Sequence, residues 1–114
     1  MMTLNKYQEQ AKQFLLDPSL LEPFVDGVKY CALGINEEAG EIAGKVKKAR
    51  RDDNEKYSED RLKSIALEIG DVLWYCATLA GHIGYSLEDI AKMNIAKLED
   101  RMARGTMHGS GDYR

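Results

Sequence analysis

The sequence predicts an all-α protein, a bundle of four helices that oligomerises and ends in a short glycine-rich tail. Apolar residues recur at helical spacing along most of the chain, and no stretch alternates polar with apolar as a half-buried strand does. The prolines, Pro18 and Pro23, fall in one connector. Serine and glycine stand where helices begin and end, at Ser58, Ser86 and Gly84.

A first helix is expected over about 3–16, with Thr3 as its N-cap, before "DPSLLEPF" breaks the pattern. The second runs over about 26–51 and leads into the polar loop "DDNEKY". The third begins after Ser58 and ends near Ile83, with Gly84 in the usual C-terminal position. Ser86 with Asp89 resembles a capping box for a fourth helix that reaches about Arg104. The remaining "GTMHGSGDYR" has no helical pattern. The division is a helical domain over 1–104 and an irregular tail over 105–114.

A chain of 114 residues suits one domain, and 44% hydrophobic with 31% charged residues suits a water-exposed surface around one core. Nineteen acidic against 16 basic residues leave a net charge of −3, so nothing draws the whole chain to nucleic acid or to an anionic membrane. Cys31 and Cys76 sit inside helical patterns and read as small buried hydrophobes. No apolar run approaches the roughly 18 residues of a membrane span, and the polar start is unlike a signal peptide. A cytoplasmic protein is the expectation.

The segment "GINEEAGEIAG" packs Glu37, Glu38 and Glu41 among glycines. On the second helix the apolar stripe centres at Ile35; Glu38 falls about 60° to one side, Glu41 about 120° to that side, and Glu37 about 160° away. Gly34, one turn before Glu38, leaves space on the same flank. The third helix repeats the arrangement around a stripe centred near Ile69. Glu68 and Tyr75 lie about 100° and 120° to one flank, with Asp71 near 160°. Its other flank, with Gly70, Trp74, Ala77 and Gly81, is also small or apolar. A helix apolar on nearly all sides needs neighbours on more than one, so this second face is expected to meet another subunit. The fourth helix puts Leu87, Ile90, Ala91, Asn94 and Leu98 inward, with Lys97 and Arg101 beside Asn94.

If the second and third helices pack antiparallel with these flanks facing, Glu38, Glu41, Glu68 and Asp71 converge. Clustered ionised carboxylates repel, which raises pKa values or demands a cation. Their oxygens suit Mg²⁺, Mn²⁺ or Ca²⁺ rather than zinc. No histidine completes an E-x-x-H pair, which speaks against a di-iron bundle.

"EEAGE" (37–41) followed by "EIGD" (68–71) resembles the E-E-x-x-E…E-x-x-D signature of the MazG-like nucleoside triphosphate pyrophosphohydrolases. These belong to the all-α NTP-pyrophosphatase superfamily, with dimeric dUTPases, dCTP pyrophosphatases and phosphoribosyl-ATP pyrophosphohydrolase. The likeness runs from "LNKYQEQA" through "EIGDVLWYCATLA" to "SLEDIAKMNIAKLEDR". It implies Mg²⁺, with Mn²⁺ a substitute, held by Glu38, Glu41, Glu68 and Asp71, and a catalytic set of Glu37, Glu38 and Glu41 in which the helper role of Glu37 stays open. It further implies that Tyr75 and Asn94 contact a nucleoside triphosphate and that Lys97 and Arg101 meet its phosphates. The implied reaction is cleavage between the α- and β-phosphates by a dimer or tetramer. Two alternatives stand beside it. One is a non-catalytic helical oligomerisation module whose acids pair with Lys45, Lys47 or Lys48. The other is a related enzyme acting on phosphoribosyl-ATP or a modified nucleotide.

Overall fold

Side-chain caps start three of the four helices. Thr3 Oγ1 accepts from the Lys6 N–H at 3.1 Å, Ser58 Oγ from Arg61 at 3.1 Å, and Ser86 Oγ from Asp89 at 3.0 Å. Each satisfies one of the amides that a helix N-terminus leaves without an intrahelical partner. The computed structural model describes residues 1–114 and is all-helical: α1 (Leu4–Ala11), α2 (Phe24–Asp52), α3 (Glu59–His82) and α4 (Leu87–Arg104), without strands. No helix is long and apolar enough to cross a membrane.

α1 is shorter than its periodicity predicts. It tightens into a 3₁₀ turn over Lys12–Phe14, and a second such turn follows over Pro18–Leu21. Asp17 precedes a proline, whose ring disfavours the helical region for its neighbour, and ψ at Asp17 is 88°.

α2 and α3 form a long antiparallel hairpin. Gly27 meets His82, Gly34 meets Tyr75, and Lys45 approaches Glu68, so residue numbers rise on one helix as they fall on the other. The face of α2 turned to α3 carries Gly27, Cys31, Gly34 and Ala49, all buried. Small side chains let the helices close up. His82 is half-buried: its ring stacks on Phe24 with centroids 4.8 Å apart, and its Nε2 lies 2.8 Å from the Phe24 carbonyl. Both cysteines are free thiols, with Cys31 fully buried and Cys76 half-buried.

α1 lies across α3 and is fastened by side chains. The Trp74 indole N–H donates to the Ala11 carbonyl at 3.1 Å. The buried amide of Gln8 donates to the carbonyls of Ala77 at 3.1 Å and Tyr85 at 3.2 Å, and accepts from the Leu87 N–H at 3.0 Å. One side chain thus joins α1, α3, the α3–α4 turn and the first turn of α4. Around it Ala77, Ala80 and Leu87 form a core cluster, with Tyr7 and Cys76 packed against it.

That core is small. Only ten residues are buried, and the accessible surface is 8404 Å², against roughly 6,300 Å² for a compact monomer of this mass. The radius of gyration is 17.0 Å, where about 13 Å is usual for this length. The uncovered apolar residues include Leu62, Ile69 and Leu73, one stripe of α3, and Leu33 and Val46 on α2. Two expectations are corrected here. Ile69, the centre of the stripe on α3, is 54% exposed, while Trp74 and Gly81 face α1 of the same chain. Asn94 is exposed rather than inward.

Candidate metal and nucleotide site

Tyr30, Gly34 and Glu38 follow one another at single-turn spacing along α2, and Asp71 and Tyr75 do so along α3. Close approach of the two rows assembles the site. A Cβ on Gly34 would collide with the Tyr75 ring, coming within 2.7 Å of its Cζ and closer to its Cδ1 and Cε1. Glycine at 34 therefore lets the tyrosine lie against the α2 backbone, one turn from Glu38.

Carboxylate oxygens of Glu38, Glu68 and Asp71 all lie within 4.8 Å of one another. Two oxygens on opposite sides of one hard cation stand about 4–5 Å apart, so the span fits a single ion with carboxylate ligands. Glu38 and Glu68 are half-buried and Asp71 is exposed. The Glu38 carboxyl is pushed above its ordinary range, first by desolvation and then by the charges of Asp71, Glu68, Glu37 and Glu41. Lys45 Nζ approaches Glu68 at 3.9 Å, and no basic side chain is in ion-pair contact with Glu38 or Asp71. Negative charge in this cluster is under-compensated, and a divalent cation matches both its charge and its oxygen donors.

Glu41 and Glu37 are exposed on the same turns of α2 and stand outside the three-oxygen cluster, though both bear on Glu38 through their charge. A cavity of about 800 Å³ opens beside the acids, with Glu38 and Asp71 in its wall. Tyr7, Phe14, Tyr30, Trp74 and Tyr75 supply aromatic surface to it. Trp74 and Tyr75 meet edge to face with centroids 4.9 Å apart. Burial, the neighbouring Tyr30 phenol, and then Glu38 and Glu37 raise the Tyr75 phenol to about 12. Burial, then Asp71 and Cys76, also hold Tyr7 above its ordinary range.

Tyr7, Phe14 and Tyr30 are contributors that the motif reading passed over. Tyr30 was detectable, since it shares the row of Gly34 and Glu38. Tyr7 and Phe14 arrive only through the packing of α1. Asn94, Lys97 and Arg101 are not among the residues lining this cavity. Lys97 and Arg101 bind the C-terminal tail instead.

Fold and site together define an all-helical protein with a cluster of three carboxylates beside an aromatic cleft. A family model described as the MazG nucleotide pyrophosphohydrolase domain matches residues 28–105, a span that holds all the acids above. The chain belongs to that family. It is also 40% identical over 90 residues to the Gene 37 protein of Mycobacterium phage L5, an alignment covering 79% of each chain. No solved structure matches it.

Proposed function

We propose that the protein hydrolyses a nucleoside triphosphate between its α- and β-phosphates, releasing a nucleoside monophosphate and pyrophosphate. The observation that carries this reading is the convergence of Glu38, Glu68 and Asp71, two of which stand in the wall of an aromatic cavity, in a member of this family. Those three residues would hold Mg²⁺, or Mn²⁺ in its place, with Glu41 joining from the next turn. When bound, the cation neutralises phosphate oxygens and lowers the pKa of a coordinated water. Glu37 and Glu41, on the same turns as Glu38, would orient an attacking water and accept its proton. The faces of Tyr75, Trp74 and Tyr30 give the nucleoside an apolar bed. Asn94 is assigned to the nucleotide, and Lys97 and Arg101 to its phosphates.

Self-association belongs to the same proposal. The surface excess of this chain exceeds the roughly 800 Å² that each partner buries in a standard interface. The Leu62, Ile69 and Leu73 stripe is the face a second copy would cover.

The oligomerisation-module alternative draws on one contact, Lys45 with Glu68, which leaves Glu38 and Asp71 without a cation. The aromatic cavity accepts any flat base, so phosphoribosyl-ATP or a modified nucleotide stays within the same chemistry. The test is a screen of canonical and modified triphosphates with Mg²⁺, products separated by chromatography. Monophosphate plus pyrophosphate is expected, with turnover abolished by EDTA. Diphosphate plus orthophosphate would overturn the α-phosphate assignment.

A further inference from the structure

The chain turns back after α4. Gly105 takes the left-handed conformation with φ 70°, and the Thr106 N–H closes onto the Arg101 carbonyl at 2.8 Å. The residues that follow, 106–114, lie beyond the span matched by the family model. They fold against the last turns of α4, where Arg114 donates to the carbonyls of Thr106 at 3.1 Å, Met107 at 3.0 Å and Gly111 at 2.6 Å. This internal clasp presents Asp112 to the two cations that face the tail.

One carboxylate oxygen serves both. Asp112 Oδ1 lies 3.2 Å from Lys97 Nζ and 3.3 Å from Arg101 Nη2. The same Nη2 also donates to the carbonyls of Gly111 at 3.2 Å and Asp112 at 3.1 Å. Asp112 remains 76% exposed, while the Arg101 side chain is only 6% exposed. Arg101 Nε is buried without any partner. A guanidinium fork is best filled by two oxygens of one anion, and a buried donor left empty is costly. Here three acceptors crowd Nη2, and Nε, the other donor of the same fork, goes unused. The tail is an imperfect ligand for this pair of cations, and a phosphoryl group, with several oxygens on one centre, satisfies them better.

We propose that the C-terminal tail is an autoinhibitory strap in which Asp112 occupies, on Lys97 and Arg101, the place of a phosphate or pyrophosphate group, and is displaced by it. This rests on the assignment of those two cations to substrate phosphates. Substrate or product polyphosphate then competes with a carboxylate tethered to the same chain, and the strap lowers apparent affinity until it is released. Because Asp112 is exposed and Arg101 is not, release moves the tail at Gly111 and Asp112 and leaves Arg101 in place.

The test is calorimetric titration of inorganic pyrophosphate into the full chain with EDTA present, which needs no turnover. Asp112→Asn keeps the shape of the side chain and is expected to tighten pyrophosphate binding about twofold to fivefold, the upper part of the range for loss of an exposed ion pair. Asp112→Glu should return binding to the parent value, and adding Lys97→Gln to Asp112→Asn should erase the gain. Asp100→Asn is the control for charge alone, since Asp100 pairs with Arg104 at the surface. Equal or weaker binding by Asp112→Asn at unchanged helix content overturns the strap, as does an equal gain from Asp100→Asn. Failure of the hydrolysis reading shows separately, as intact triphosphate on chromatography.

Discussion

The ring of Tyr75 occupies the space that a side chain at Gly34 would need. That contact brings the two acid-bearing helices together next to Glu38, and it explains one of the glycines in "GINEEAGEIAG". Gly40 and Gly44 differ: a Cβ on either meets nothing within 4 Å in the single chain.

Gly34→Ala is expected to push Tyr75 off its seat. Overpacking of this kind costs about 1–3 kcal/mol, so chemical denaturation should show a lower midpoint. Gly40→Ala, with open space around it, should be neutral or stabilising through helix propensity. The reverse order would contradict the packing described.

Glu38 and Glu37 separate metal binding from its surroundings. Glu38→Gln removes a charged ligand, so Mn²⁺ affinity measured by calorimetry should fall steeply. Glu37→Gln should leave that affinity nearly intact and slow turnover. The pH dependence follows from the sign of the Glu38 shift. Its folded-state pKa is raised above the ordinary 4.5, so the charged form is disfavoured by folding. The metal-free protein should therefore lose stability as pH rises from the ordinary carboxylate range through that raised value. Thermal melts without metal should show this decline in the parent and lose it in Glu38→Gln. A parent whose metal-free stability instead rises across that window would contradict the convergence of the acids.

Gln8 is a structural residue outside the lining of the acidic cavity. Gln8→Leu keeps the volume but strands the Leu87 N–H and the Tyr85 carbonyl, with an expected loss of about 2–4 kcal/mol at unchanged Mn²⁺ affinity per folded molecule. Urea titration gives the first quantity and calorimetry the second.

The uncovered face of α3 makes a prediction about mass. Light scattering at micromolar concentration should return a multiple of 12.8 kDa, and Ile69→Lys should shift the population toward that monomer mass. A parent protein that runs as a monomer would leave the exposed stripe without a partner.

The caps at Thr3, Ser58 and Ser86 and the left-handed turn at Gly105 depend on groups within a few residues, so local sequence contains them. The same holds for the phase that sets Glu38 apart from Glu37, since helical rotation alone makes one half-buried and the other exposed. The acid motif on α2 and α3 was legible for that reason.

What covers each apolar face was decided only by the tertiary structure. Periodicity locates a stripe but not its neighbour, and α3 is apolar on nearly every side. The chain buries Ala77 and Ala80 and leaves Ile69 open, because small side chains admit α1 while the bulky stripe lies on a face that no other helix of the chain covers. Gln8 gained its role the same way, by reaching groups 69 to 79 residues distant. Lys97 and Arg101 read from sequence as two cations on one helix. Folding gave them Asp112 as a partner, because the turn at Gly105 returns the tail along the helix it has just left.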